Sequence, residues 1–432
     1  MLKRLFYSLP LIICSIVFGQ SNFDVDQQQL YTYLYSKQYN KAKSIINSKF
    51  LTSIDQSRKV IGYVYLADYY GEIKNEEKKV EALEKAKNIA LQTKKAIDLS
   101  YVKFGYSRYY YNLKQNELFI KKINEAIKEF SNYNNEDFIL TQLYFLRYNY
   151  NSKNILDKDH QEDVVLANKH ALMSKNPLLI NFTYNNLGYY YKQKYKDTND
   201  LKYLNLVKDT SSKAYHYANL IEDELAKNRS LIVYNLNMSS FVKSLEEKDS
   251  SEEILMYCNR ALSIANKDSI FNDLKAFIYN NMGANFELKG NLDRAETYFQ
   301  KAYDLIKDNS QLNQYKIIFL ANLSNIAEKK GNLKDAINYL KEEKAIIIEN
   351  DLYQFENNTK SLEIFYKTNQ KIDRIKKLDE KNSLLKIQTV LYVCLSIIIT
   401  FIFISIYFNI RFKRKLKTQQ EIINHLNKKD HL

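Results

Sequence analysis

The chain has 432 residues, 64 basic against 50 acidic, with only two prolines and eight glycines. That length exceeds one compact core unless the chain is an array of units, and so few turn residues exclude anything but a mostly helical protein. The formal charge of +14 does not argue for a nucleic-acid partner: basic residues are interspersed with acidic ones, as in KNEEKKVEALEKAK at 74–87, the pattern of solvated helix faces.

In MLKRLFYSLPLIICSIVFGQSNF, Lys3 and Arg4 precede an apolar run from Leu5 to Phe18, and Val17 and Gly19 offer a cleavage context. This predicts a secretory signal peptide over 1–19, too short for a membrane span. Cys14 sits inside the apolar run behind Ile13, which does not suit lipidation. Of the other cysteines, Cys394 falls in a second apolar segment and Cys258 stands alone, so the exported part has no disulfide to form.

From about residue 24 to 350 one small residue recurs late in each helical pattern: Ala86, Ala126, Ala171, Ala214, Ala261 and Ala302, at steps of 40 to 47 residues. A partial unit at 35–46 and a last one at 330–347 bracket the series, giving about eight units, and such a period signals a stacked solenoid. The clearest unit is IYNNMGANFELKGNLDRAETYFQKAYDLI, Ile278 to Ile306. Met282, Gly283 and Phe286 share a face of a first helix, Gly290 can end it in the left-handed region, and Asn291 can cap the next. Ala295, Phe299 and Ala302 then recur at i, i+4 and i+7 on a second helix. Gly331 and Ala336 repeat the Gly-Asn-Leu…Ala series in the last unit, and Leu187-Gly188 with Tyr191 repeats the first-helix motif.

These residues resemble the tetratricopeptide repeat, whose Leu-Gly-x-x-Tyr, Gly and Ala-x-x-x-Phe-x-x-Ala pattern the unit at 278–306 follows. Other units are looser: Ser324 and Ala327 replace Gly and Tyr, and 101–112 keeps Phe104-Gly105 but has Arg108. The units exceed the usual repeat of about 34 residues, a length nearer HEAT or armadillo units, yet their small-and-large pattern fits the tetratricopeptide hairpin better. The resemblance implies an all-α fold: a right-handed α-solenoid of about eight tetratricopeptide-like hairpins, followed here by a helical stalk and one transmembrane helix.

No nucleotide-binding glycine pattern is present, and His160, His170, His216, His425 and His431 lack metal-ligand spacing. The expectation is therefore no catalytic residue, no metal and no cofactor. A solenoid instead offers a long concave surface lined by its first helices. In the family, polar residues on that surface clasp peptides. The corresponding groove residues are Asn186, Asn281 and Asn322, just before the Leu or Met of the pattern, with Asn185, Asn280 and Asn325 beside them. An amide can grip a peptide backbone in either direction; equally, asparagine is abundant in this chain and can simply face water. The tyrosine-rich stretches at 105–112, 144–151 and 187–195 suit either recognition or packing between helices, and packing is the expected role.

Residues 351–386 read as a helical stalk, with Ile375, Leu378 and Leu385 at partial 3-4 spacing and Asn382 at a seam position, which suits pairing as a homodimer. Ile387 to Ile410 carries no charged residue and is long enough for a transmembrane helix. Arg411, Lys413, Arg414, Lys415 and Lys417 open a basic tail, 411–432, in which Leu416, Ile423 and Leu426 keep helical spacing. With an exported N-terminus, the array is expected outside the inner membrane and the tail in the cytoplasm. This order resembles the sensor half of membrane-bound regulators of Bacteroidetes-type bacteria, in which a helix-turn-helix domain or histidine kinase follows; here the resemblance stops at HLNKKDHL. The expected function is a non-enzymatic, membrane-anchored module that binds a peptide or protein and signals to a separate or missing output, or else a periplasmic scaffold that assembles an envelope complex.

Overall fold

The structure, a computed structural model, describes residues 25–154, 161–245, 250–309 and 312–429; the signal segment at 1–19 lies outside them. All regular elements among the described residues are helical. They fall into two compact units, Met1–Leu362 and Glu363–Leu432.

In the first unit the helices pair in sequence. Helix α1 (25–35) turns into α2 (Tyr39–Ile45), which runs on as a π-helical turn over Ile46–Leu51. Next come α3 (Gln56–Glu72) with α4 (Glu76–Thr93), and α5 (Ala96–Asn112) with α6 (Asn116–Phe130). Then α7 (Asp137–Asn154) pairs with α8 (Gln161–Ser174), and α9 (Pro177–Thr198) with α10 (Leu201–Asn219). They are followed by α11 (Glu224–Lys243) with α12 (Ser250–Ala265), and α13 (Asn272–Leu288) with α14 (Leu292–Ile306). Last, α15 (Asn313–Lys329) meets the start of α16 (Leu333–Lys429), where Ser324 Oγ donates to Ala336 O at 3.1 Å. Each first helix also packs on neighbouring hairpins, so the fold is an α-solenoid, with eight tetratricopeptide-like hairpins among the described residues.

Two local devices make the hairpins alike. The first is the turn. Gly290 and Gly331 adopt φ of +72° and +78°, and Lys37, Lys74 and Lys114 take the equivalent place at φ of 59°, 55° and 55°. In all five turns the next backbone N–H reaches the carbonyl five residues back, from Gln38 N to Tyr33 O at 2.8 Å through to Asn332 N to Ala327 O at 2.8 Å. This closes the last helical carbonyls in the manner of a Schellman motif. A search for glycine finds two of these turns; the other three carry a lysine in the left-handed region, so the first hairpin is fuller than the partial unit at 35–46 suggested.

The second device is the buried alanine. Ala86, Ala126, Ala171, Ala214, Ala261 and Ala302 sit one to each second helix from α4 to α14, and all are fully buried. Ala295 and Phe299 are fully buried too, and Ala336 is buried at the start of α16. Phe299 lies so close to Gly283 that an added Cβ would stand 2.7 Å from its Cδ1, which is why this position excludes a side chain. Tyrosines largely fill the remaining space: Tyr106, Tyr109, Tyr110, Tyr148, Tyr150 and Tyr190 are buried, while Tyr189 is exposed.

The second unit is helical as far as Lys429. Within it, Glu380–Gln419 is long and apolar enough to cross a membrane, and its side chains are exposed. The apolar stretch expected at Ile387 to Ile410 lies inside these bounds.

Candidate functional site

The first helices α9, α11, α13 and α15 stand side by side, and each carries polar residues in bands along its length. The middle band is asparagine. Asn237 Nδ2 donates to Asn185 Oδ1 at 2.9 Å, Asn281 Nδ2 to Ser239 Oγ at 2.8 Å, and Asn322 Nδ2 to Asn280 Oδ1 at 2.8 Å. Asn325 Nδ2 donates to Glu287 Oε1 at 3.0 Å, an oxygen it shares with Lys329 Nζ at 2.7 Å. Asn185 and Asn186 also donate to Asn181 O and Phe182 O of their own helix, at 3.0 and 2.7 Å. Of the six asparagines expected to line a groove, Asn185, Asn280, Asn281, Asn322 and Asn325 thus make rungs of a ladder across four hairpins, while Asn186 bonds only its own helix; Asn325 is exposed and the other five are half-buried. Because an amide has two N–H groups and an acceptor oxygen, the ladder does not exhaust them. The Asn280 amide nitrogen and the Asn281 and Asn322 oxygens have no protein partner among the described residues.

The starts of the same helices form a different band, and it is occupied. Helix α1 and its turn lie against it. Gln27 Nε2 donates to Tyr65 Oη at 3.2 Å, and the Tyr31 ring meets Phe138 edge-on at 5.6 Å. Tyr31 and Tyr35 pack on Leu178, Ile221 and Ala226, and Tyr35 Oη lies 3.4 Å from Ser230 Oγ. Two helix caps take part as well. Asn176, whose Oδ1 caps α9, donates Nδ2 to Gln28 Oε1 at 2.9 Å. Asp223 caps α11 and accepts from Gln38 Nε2 at 2.9 Å. Asp273 on α13 receives Lys37 Nζ at 2.8 Å and Arg229 Nη2 at 3.0 Å. Burial opposes its ionisation, but Arg229 and Lys37 outweigh that and hold its carboxyl below the usual range. The first hairpin therefore reaches the fourth to seventh hairpins, at points about two helical turns before the asparagines.

Under α1 lies a cavity of about 370 Å³, walled by Tyr31, Tyr35, Tyr65, Asp68, Lys79 and Arg108 among others. Arg108 stands where the repeat pattern has tyrosine. Its guanidinium lies 3.8 Å from the Phe104 ring centre, and Nη2 is 2.6 Å from Asp68 Oδ2. Burial pushes the Asp68 carboxyl up to about 6 despite the pull of Arg108 and then Lys79. The arginine at 108 was the one sequence signal of this pair.

The C-terminal ends of the first helices carry a third band, of lysines. Lys192 is buried, with Nζ 3.0 Å from Ser240 Oγ, and Lys196, Lys243 and Lys289 lie around a larger cavity. Sequence reasoning missed both outer bands, because single lysines and aspartates in helices read as solvated faces.

No family model matches the chain, and no curated protein matches it. Solved structures similar to it include the apo form of the quorum sensor NprR from B. thuringiensis, with 14% identity, 78% of this chain and 92% of that one covered, and a TM-score of 0.49. Aspartyl phosphate phosphatase F from Bacillus subtilis aligns at 13% identity over 76% of this chain and 94% of that one, with a TM-score of 0.48. A Rap protein in complex with competence and sporulation factor aligns at 16% identity over 68% and 78%, with a TM-score of 0.43. Likeness at this level says nothing of ligand or activity; the fold rests on the helix pairing and turns described above.

Proposed function

We propose that the chain is a membrane-anchored, non-enzymatic interaction module. Its array stands outside the inner membrane, grips a peptide or protein on the asparagine ladder, and passes occupancy through the stalk and span to an output partner. The observation that carries the reading is the ladder itself: amides on four successive first helices, held in place by one another and by Ser239, still offer donors and acceptors of both kinds. Backbone groups of an extended segment need such two-way partners at regular intervals. The apolar stretch Glu380–Gln419 supports anchorage by its length and composition.

Three experiments test this. Protease added to spheroplasts should digest the array and spare the tail; protection of the array would refute the topology. A photo-crosslinking residue at position 281 or 322 should capture a discrete partner, and Asn186→Ala with Asn281→Ala and Asn322→Ala should weaken its binding about tenfold or more. Unchanged binding by the triple variant would remove the ladder from the account. Deleting residues 412–432 distinguishes a receptor from a scaffold: loss of a cytoplasmic partner is expected of the receptor alone.

A further inference from the structure

The cavity of about 370 Å³ under α1 shares no residue with the asparagine ladder, so its role is independent of the peptide-binding reading. Its size falls at the low end of small-molecule pockets. The residues that line it all belong to 25–154, an unbroken described stretch. Tyr31 and Leu34 of α1, Tyr65 of α3, Leu83 of α4 and Leu146 of α7 give it an aromatic and aliphatic wall.

Four charged residues line it as well, Asp68, Glu72, Lys79 and Arg108, two of each sign. Lys79 is buried and laid against Gly71, and its ion-pair partner Glu76 stands off at 3.5 Å. The Asp68–Arg108 pair is shorter still of partners. Apart from the 2.6 Å contact between Arg108 Nη2 and Asp68 Oδ2, neither side chain has a hydrogen-bonding partner among the described residues. Arg108 Nε is enclosed and unbonded, although a guanidinium has several N–H groups to place. The two side chains are nevertheless 21% and 20% exposed. Arg108 Nη1 and Asp68 Oδ1, which are not enclosed, are therefore the polar atoms that the pair offers to the cavity.

Sheltered charges this short of hydrogen bonds destabilise the empty array, and a ligand that supplies the missing bonds reverses the effect. Burial holds the Asp68 carboxyl up at about 6 even beside Arg108 and Lys79, and a further positive group would relieve it. Because the lining charges cancel, a plain anion or a plain cation would leave one sign unanswered. A molecule with neighbouring ammonium and carboxylate groups answers both, and an apolar body on it suits the wall.

We propose that the cavity under α1 binds a free α-amino acid with an apolar side chain, its carboxylate on Arg108 and Lys79, its ammonium on Asp68, and its side chain among Tyr31, Leu34 and Tyr65.

The test uses the full-length chain in detergent micelles. Leucine, methionine and phenylalanine are titrated into it by calorimetry, each beside its analogues lacking the ammonium or the carboxylate; for phenylalanine these are 3-phenylpropionate and phenethylamine. At least one amino acid should bind about tenfold or more tightly than either of its analogues. Asp68→Asn with Arg108→Gln removes both charges of the pair and should weaken that binding about tenfold or more, with the helical signal unchanged. Should this double variant fail to fold, Leu34→Trp, which narrows the cavity from α1 without touching a charge, serves in its place with a similar loss expected. Asn186→Ala with Asn281→Ala and Asn322→Ala should leave the amino acid's affinity as it was. No binding of any of the three, equal binding of a carboxylate or amine analogue, or full affinity in the cavity variants would overturn the proposal. So would loss of affinity in the asparagine variant, which would move the amino acid to the ladder. Capture of a partner by the crosslinker at 281 or 322 reads the ladder alone, so either site can fail while the other stands.

Discussion

Replacing Gly283 by Ala puts a methyl carbon 2.7 Å from Cδ1, 2.8 Å from Cε1 and 3.0 Å from Cγ of Phe299. Unstrained carbon contacts lie at about 3.5–4.0 Å, so α13 and α14 must part by roughly 1 Å or the ring must turn. The ring has little room, being fully buried in a cluster with Ala276, Phe319 and Leu323. Overpacking of this kind costs about 1–3 kcal/mol, while Gly→Ala inside a helix returns about 1 kcal/mol. The expected net loss is about 1 kcal/mol, centred on the seventh hairpin. Gly188 is the control, because it holds the same place in the fifth hairpin. A methyl there meets Thr210 Oγ1 at 3.0 Å and nothing else closer than 3.8 Å, so helix propensity should cancel the strain. Arrays of repeats open locally, which makes hairpin-resolved hydrogen exchange a better assay than a single melting curve. Gly283→Ala should speed exchange in α13 and α14 about fivefold, and Gly188→Ala should leave α9 and α10 unchanged. Adding Phe299→Leu to Gly283→Ala should cost less than Phe299→Leu costs alone, since the methyl then fills part of the space left by the ring. Indistinguishable effects of the two glycine variants, or added protection from Gly283→Ala, would refute the close-approach reasoning.

Three further outcomes follow from the structure. Lys74→Gly should stabilise the second hairpin by about 0.5–1 kcal/mol by relieving a left-handed side-chain conformation, and Gly331→Ala should cost the last hairpin about 1 kcal/mol; urea midpoints or exchange rates compare them. Asp273→Asn should loosen the first hairpin by about 2 kcal/mol, because Lys37 and Arg229 lose their shared counter-charge, seen as faster proteolysis and exchange at residues 25–38 with α15 unaffected. Arg108→Tyr restores the residue of the repeat pattern, yet it should destabilise the array by about 3 kcal/mol at neutral pH by leaving Asp68 unpaired. That loss should shrink as pH falls from above neutral toward about 6: Arg108 pulls the Asp68 carboxyl down to about 6, so without it the carboxyl rises further and takes up its proton first, and below about 6 both folded proteins carry that proton and the difference levels off. A loss independent of pH would exclude the carboxylate as its source.

The hairpins were legible in the chain because their determinants are local. Small residues that bring helices together recur at a fixed period, so Ala86 through Ala302, Gly283 and Phe299 could be placed on their helix faces from spacing alone. The charge-free run at 387–410 is legible for the same reason, since length and composition suffice to mark it. The turns at Lys37, Lys74 and Lys114 were not, because lysine enters the left-handed region only when the helices on either side hold it there. The groove asparagines were named from their offset to the repeat pattern, but spacing within one unit cannot tell that Asn322 bonds Asn280 or that Asn237 bonds Asn185. Those contacts depend on how far each hairpin turns against the next. The same holds for Lys37 on Asp273 and for Arg108 on Asp68, pairs of residues that look solvated in sequence. Periodicity decided which residues pack within a hairpin; stacking decided which distant polar groups meet, because small rotations between hairpins accumulate along the array and no local pattern records their sum.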